Sequence, residues 1–136
     1  MNKLRSIWKA EVRDYELDFQ RIVNNANYFH YLDHARALHL HEIGINVDEL
    51  AKIGTNIVLL STSLHFKKPL KFGDSFFVES VLSRISKLKF KFDQHIFNEK
   101  NKELILEATS VICCFDSKTG KPCFVGQLGE IEINGE

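Results

Sequence analysis

No apolar run in this chain approaches the roughly 18 residues needed to cross a bilayer, which excludes a membrane-spanning helix. An excess of charge is missing too, because eighteen Lys and Arg balance eighteen Asp and Glu. With zero net charge there is no global field to draw the protein to nucleic acid or to an anionic membrane, and neither is expected as a partner. Cysteine is scarce. Three thiols make no disulfide framework: Cys113 and Cys114 are adjacent in a strand-like run and point to opposite faces, which leaves Cys123 without an obvious partner. Free, buried or half-buried thiols are the expectation, and no signature beside them marks a catalytic cysteine. The stretch from Met1 to Lys9 begins basic but lacks the apolar core of a signal peptide, so a cytoplasmic protein is expected. Repeats, low-complexity segments and linkers are absent as well. The 136 residues, 44% apolar and 26% charged, read as one ordinary domain spanning 1–136.

What is present is a change of period. Lys9 to Tyr15 reads as a short strand with Ala10, Val12 and Asp14 on one face and Glu11, Arg13 and Tyr15 on the other. From Ala26 to Ile43 the spacing is helical, through Tyr28, Tyr31, Leu32, Ala35, Leu38 and Glu42, and Gly44 stops it as a C-cap. Apolar residues spread over more than half the circumference of this helix, so it must be covered on several sides. Val47 to Ile53 reads as a short helical connection.

Beyond Thr55 the period becomes two. Strands are expected at Asn56–Phe66, at Ser75–Ser83, over the alternation Leu88, Phe90, Phe92, Gln94 and Ile96, and over Leu104 to Cys114, with a last short strand between Gln127 and Ile133. Pro69 with Gly73, Asn98–Lys102 and Asp116–Pro122 mark the interruptions. The expected fold class is α+β, a curved antiparallel sheet wrapped around one long apolar helix. Core and subunit interface account for most of the eleven phenylalanines.

Chemistry concentrates ahead of the helix. Asp18 lies in the loop before it, beside backbone N–H groups with no helical acceptor and the positive end of the helix dipole. One short stretch thus combines an attacking group with an oxyanion site. By residue type alone, capping is the commoner role for such an aspartate. His30, His34, His39 and His41 invite a metal, yet His30, His34 and His41 share the narrow face left by the apolar residues, and Tyr31 stands where an HExxH helix has Glu. They read as a solvated stripe, and no metal is expected. Ser117–Lys121 resembles a phosphate loop but lacks its first Gly and final Ser or Thr, so it reads as a hairpin loop.

The segments Val12-Arg13-Asp14-Tyr15-Glu16-Leu17-Asp18, Val23-Asn24-Asn25-Ala26-Asn27-Tyr28 and Tyr31-Leu32-Asp33-His34-Ala35-Arg36 resemble the hotdog-fold thioesterases of the 4-hydroxybenzoyl-CoA thioesterase and YbgC-like group. A weaker echo lies at Lys68–Asp74. The resemblance implies a hotdog fold and acyl-CoA hydrolysis, with Asp18 as the catalytic carboxylate and the Asn25 backbone N–H polarising the thioester carbonyl. It reverses the preference for capping. It also implies a homodimer or homotetramer with active sites at the subunit boundary, and no cofactor, coenzyme A being part of the substrate. Two departures stand out: Arg21 replaces the usual Gly, and Ile22 and Asn25 stand at or near positions where His is common.

Whether Asp18 attacks the carbonyl or activates water, the sequence leaves open. Tyr15 is placed to bond that carboxylate, to line the acyl pocket or to pack in the core. Lys68 with Lys67 and Lys71, and Arg84, Lys87 and Lys89, are candidates to meet the phosphates of coenzyme A. The Lys67–Lys71 patch equally suits an acidic acyl carrier protein. A non-catalytic acyl-CoA or carrier-protein binding module is the alternative. A dehydratase ranks last, since no His precedes Asp18 or lies in its loop.

Overall fold

The computed structural model describes residues 4–133. The elements run β1 (Arg5–Glu11), a 3₁₀ turn (Asp14–Glu16), α1 (Asn25–Glu42), α2 (Val47–Lys52), β2 (Thr55–Phe66), β3 (Ser75–Arg84), β4 (Lys89–Asn98), β5 (Leu104–Asp116) and α3 (Gly126–Gly129). The strands form one sheet in the order β1-β3-β4-β5-β2, and every neighbouring pair is antiparallel.

The period-two pattern dictates which face is covered. Along β3 and β4 every second residue is buried, Phe76, Val78, Ser80, Leu82 and Arg84 and then Phe90, Phe92, Gln94 and Ile96, while the alternate residues are half-buried or exposed. Tyr28, Tyr31, Leu32 and Ala35 of α1 pack into the same core as Phe76, Val78, Ile96 and Leu106, so the sheet closes over the helix as the hotdog arrangement requires. A second cluster joins Leu40 and Ile45 to Leu82, Phe92 and Ile112. The helix ends in a Schellman motif: Ile45 N–H reaches Leu40 O at 2.9 Å and Gly44 N–H reaches His41 O at 3.0 Å. Gly44 holds φ +90 there, the region a Cβ disfavours.

Two expected strands differ. The first runs Arg5–Glu11 and not Lys9–Tyr15, because its partner β3 begins at Ser75 opposite Glu11 and leaves nothing further to pair with. Beyond it Val12 N–H bonds Asp74 O, and the chain turns. The last expected strand is instead the short helix α3 followed by a lone bridge between Ile133 and Arg84. The Arg84 guanidinium takes the Gly129 and Ile131 carbonyls at 3.1 and 3.0 Å, groups that a neighbouring strand would have used.

Cys113 and Cys114 are buried free thiols and Cys123 is a half-buried one. His30, His34 and His41 are exposed, as their angular positions require, whereas His39 is fully buried with its ring 5.6 Å from Phe92. Among the described residues, no helix is long and apolar enough to cross a membrane.

Candidate active site

Asp18 sits in a closed loop between the 3₁₀ turn and α1. Leu17 and Val23 form a bridge, Asp18 N–H bonds Ile22 O at 2.9 Å, and Arg21 N–H bonds Asp18 O at 3.0 Å. Arg21 holds φ +65. It therefore keeps the left-handed turn for which glycine is the usual residue, and the loop geometry does not depend on glycine. The half-buried Asp18 carboxylate accepts the Gln20 N–H on Oδ1 at 2.8 Å, while Oδ2 has no hydrogen bond among the described residues.

Glu16, which sequence reasoning passed over, anchors this loop. Its Oε1 accepts the Arg13 N–H at 2.8 Å and the Tyr31 hydroxyl at 2.7 Å, and its carbonyl accepts Asn24 N–H and the Asn27 side-chain amide, both at 2.9 Å. The signal was available: an acidic residue three places after Arg13 is placed to accept the Arg13 N–H at the start of the 3₁₀ turn, while Glu16 N–H bonds the Arg13 carbonyl at 3.0 Å. Burial, reinforced by the bond to Glu16, pushes the Tyr31 hydroxyl far above the usual tyrosine range.

The helix start is capped by Asn24, whose Oδ1 accepts Ala26 N–H at 2.9 Å. The N–H of Asn25, the first helical residue, has no acceptor among the described residues. Asn25 borders a cleft of about 360 Å³ lined also by Ile22, Tyr28, Phe66, Lys67 and Lys68 among others. Val23 N–H bonds Leu70 O at 2.9 Å, and the Tyr28 hydroxyl accepts Leu70 N–H at 3.0 Å, so the Pro69 turn forms one wall. The Tyr28 hydroxyl is raised by burial, and the Asp74 and Asp18 carboxylates add to that shift.

Of the other expected site residues, Tyr15 is 70% exposed, and its hydroxyl accepts Arg13 Nη1 at 2.7 Å. Core packing is therefore not its role, and its hydroxyl bonds Arg13 and not Asp18. Lys68 borders the cleft and pairs with Glu103 at 2.9 Å. Arg84 requires a correction, because its guanidinium is buried and committed inward. It donates to the carbonyls of Ser86, Lys87, Gly129 and Ile131 and lies 5.5 and 5.3 Å from the Phe90 and Phe124 rings. Lys87 and Lys89 are exposed beside it. Within one chain all three lie at the end of β3 away from Asp18, about 30 Å along the strand from Ser75.

A second and larger cavity, about 470 Å³, opens between the C-terminal half of α1, the start of α2 and β2. Leu40, Ile45, Ile57, Leu59 and Ile112 line it, with Asp33 and Arg36 on its wall. The Arg36 guanidinium is held by Gln94 Oε1 at 3.1 Å, Ser110 Oγ at 3.3 Å and Asp33 at 3.5 Å, and its burial lowers its proton affinity.

A five-stranded antiparallel sheet closed over one helix, with a carboxylate loop folded onto that helix's N-terminus, defines the hotdog class. Residues 12–125 match the model of the thioesterase-like superfamily, and the chain belongs to that superfamily. It is 42% identical over 110 residues to the acyl-acyl carrier protein thioesterase ATL3 of Arabidopsis thaliana, a match covering 81% of this chain and 58% of that protein. The chain thus spans little more than half the length of that relative. The solved structure of AQ1494 from Aquifex aeolicus is 30% identical with a TM-score of 0.80, covering 90% of this chain and 94% of that one. Slr0204, a 1,4-dihydroxy-2-naphthoyl-CoA thioesterase from Synechocystis, shares the fold at a TM-score of 0.86 and 18% identity, with 91% of each chain covered.

Proposed function

We propose that this chain hydrolyses an acyl thioester of coenzyme A or of acyl carrier protein. Asp18 serves as nucleophile or general base, and the Asn25 N–H serves as oxyanion donor. The observation that carries this proposal is that Asp18 lies in the loop closed by the Leu17–Val23 bridge and Asn25 opens the helix two residues beyond that bridge. Asp18 Oδ2 lacks a protein hydrogen bond among the described residues, the Asn25 N–H lacks an acceptor there, and the Asn25 cleft is edged by Lys67 and Lys68. Membership of the thioesterase-like superfamily and the likeness to the acyl-acyl carrier protein thioesterase ATL3 support the same reaction class.

The chemistry asks little more of the protein. A thiolate leaves without needing a proton, so a single carboxylate suffices. Attack by Asp18 gives an acyl-aspartate anhydride that water then opens, whereas proton abstraction from water gives hydrolysis in one step. In either route charge develops on the carbonyl oxygen, where one aligned N–H donor contributes about 10²–10³ in rate. Lys67, Lys68 and Lys71 suit the phosphates of coenzyme A or the acidic surface of a carrier protein. A homodimer, or a homotetramer built from it, is part of the same proposal, since β2 ends the sheet with an edge that is unpaired among the described residues.

The test is release of free thiol from a panel of acyl-CoA and acyl-carrier-protein thioesters by the wild type and by Asp18→Asn. Loss of at least about 10²-fold in turnover, with thermal unfolding unchanged, is expected. An Asp18→Asn rate equal to the wild type overturns the role of Asp18. Tight binding with no hydrolysis by either protein points to a binding module.

A further inference from the structure

The loop of Asp18 is a miniature hairpin. Asn24 N–H bonds Glu16 O at 2.9 Å, Leu17 pairs with Val23, Asp18 N–H bonds Ile22 O at 2.9 Å, and Arg21 N–H bonds Asp18 O at 3.0 Å. That bonding is the three-residue hairpin in which a tight turn ends in one left-handed residue, the place that glycine fills best. Arg21 occupies it at φ +65. A side chain kept where the backbone disfavours any Cβ directs attention to what that side chain does.

It makes no bond within the fold. Arg21 is exposed, and its guanidinium has no hydrogen bond or ion pair among the described residues. Lys102, also at positive φ (+62), differs, because its ammonium lies 5.4 Å from the Phe77 ring. The cations around the cleft divide in the same way. Lys67 and Lys68 are held by Glu107 at 3.7 Å and Glu103 at 2.9 Å. Lys71 is exposed and has no ion pair among the described residues, and its backbone bridges Ile22, the residue after Arg21. Ile22 itself lines the Asn25 cleft. Arg21 and Lys71 are thus uncommitted positive charges at that rim, and the fully exposed Phe19 stands on the same turn.

We infer that Arg21, with Lys71 beside it, binds phosphate at the far end of the pantetheine arm of the thioester, so that the turn carrying Asp18 also recognises the carrier. The arm is common to coenzyme A and acyl carrier protein. From sulfur to phosphorus it runs about thirteen bonds, or about 16 Å extended at ~1.2 Å per bond. The tight turn keeps the Cα atoms of Asp18 and Arg21 within about 7 Å, and the arginine side chain adds roughly 7 Å more. A thioester carbonyl at Asp18 therefore sets the phosphate within reach of the guanidinium, whose planar fork matches two phosphate oxygens at once. This inference rests on the thioesterase proposal and adds to it the residue that reads the carrier.

Arg21→Gly is the direct variant, since glycine fits the turn. Arg21→Asn is the second, because asparagine tolerates the left-handed region without freeing the loop. Each is assayed with one acyl group, the one the wild type releases fastest, carried by coenzyme A, by acyl carrier protein and by N-acetylcysteamine, whose short arm has no phosphate. On the coenzyme A thioester KM is expected to rise about tenfold or more with kcat within about twofold, while KM on the N-acetylcysteamine thioester stays within about twofold of wild type. A matching rise on the carrier protein assigns the phosphate that both carriers share, and a rise on coenzyme A alone assigns a phosphate that only coenzyme A has. An unchanged KM on coenzyme A, an equal rise on the phosphate-free thioester, or a fall in kcat alone overturns the inference while leaving hydrolysis by Asp18 standing. A wild type inert toward every thioester overturns the hydrolysis proposal itself.

Discussion

Arg21 holds a left-handed conformation at φ +65 in the loop that carries Asp18. That region costs a non-glycine residue about 1–2 kcal/mol, and glycine returns about half of it as entropy lost on folding. Arg21→Gly is therefore expected to raise stability by up to about 1 kcal/mol, read as a shift in urea midpoint with an unchanged m-value. Cys114 gives a second measurement. Burial pushes its thiol from 9.0 up to about 12, with Cys123 and Cys113 adding to the shift. The folded protein therefore holds that proton at a pH where the unfolded chain has released it. Stability from this group is complete below about pH 9 and is lost as pH rises from there toward 12. Labelling of Cys114 by a thiol reagent at pH 8 is expected only on unfolding, followed by mass spectrometry.

Arg84 matters as a link between elements. It is buried at the end of β3, and its bonds to Gly129 and Ile131 attach the segment around α3 to the sheet while Ser86 and Lys87 close the β3–β4 turn. Arg84→Met leaves those carbonyls without their charged donor. A loss of about 3 kcal/mol or more is expected, with amide exchange around α3 rising before that of β3 and β4. Were Arg84 an exposed phosphate ligand, the same change would leave stability within about 0.5 kcal/mol. This residue was misread from sequence because an arginine next to a lysine-rich turn looks solvated. Only the return of the chain past α3 brings carbonyls to it.

For the molecule as a whole, the two sheet edges differ, since β2 holds no Lys, Arg, Asp or Glu whereas β1 carries Arg5, Lys9 and Glu11, and the proposed homodimer is expected to form at β2. Leu60→Lys places a charge on that edge at a position already 43% exposed in the single chain. A shift toward monomer in sedimentation is expected, with folding retained; an unchanged sedimentation rate would remove β2 from the proposed dimer contact.

The order of elements and the central helix were legible because hydrophobic periodicity is local: the alternation of Phe90, Phe92, Gln94 and Ile96 and the helical spacing around Tyr31 and Ala35 report which face is covered before any partner is known. The loop of Asp18 and the helix start at Asn25 were legible for the same reason, being neighbours in the chain. What tertiary structure alone decided involves distant segments. It ended β1 where β3 begins, turned the expected last strand into α3, drew Arg84 inward, and bonded Glu16 to Tyr31. It also put the cleft and the cavity at the two ends of β2. Each of these depends on groups far apart in sequence competing for the same hydrogen bonds and the same volume, and a pattern read a few residues at a time carries no term for that competition.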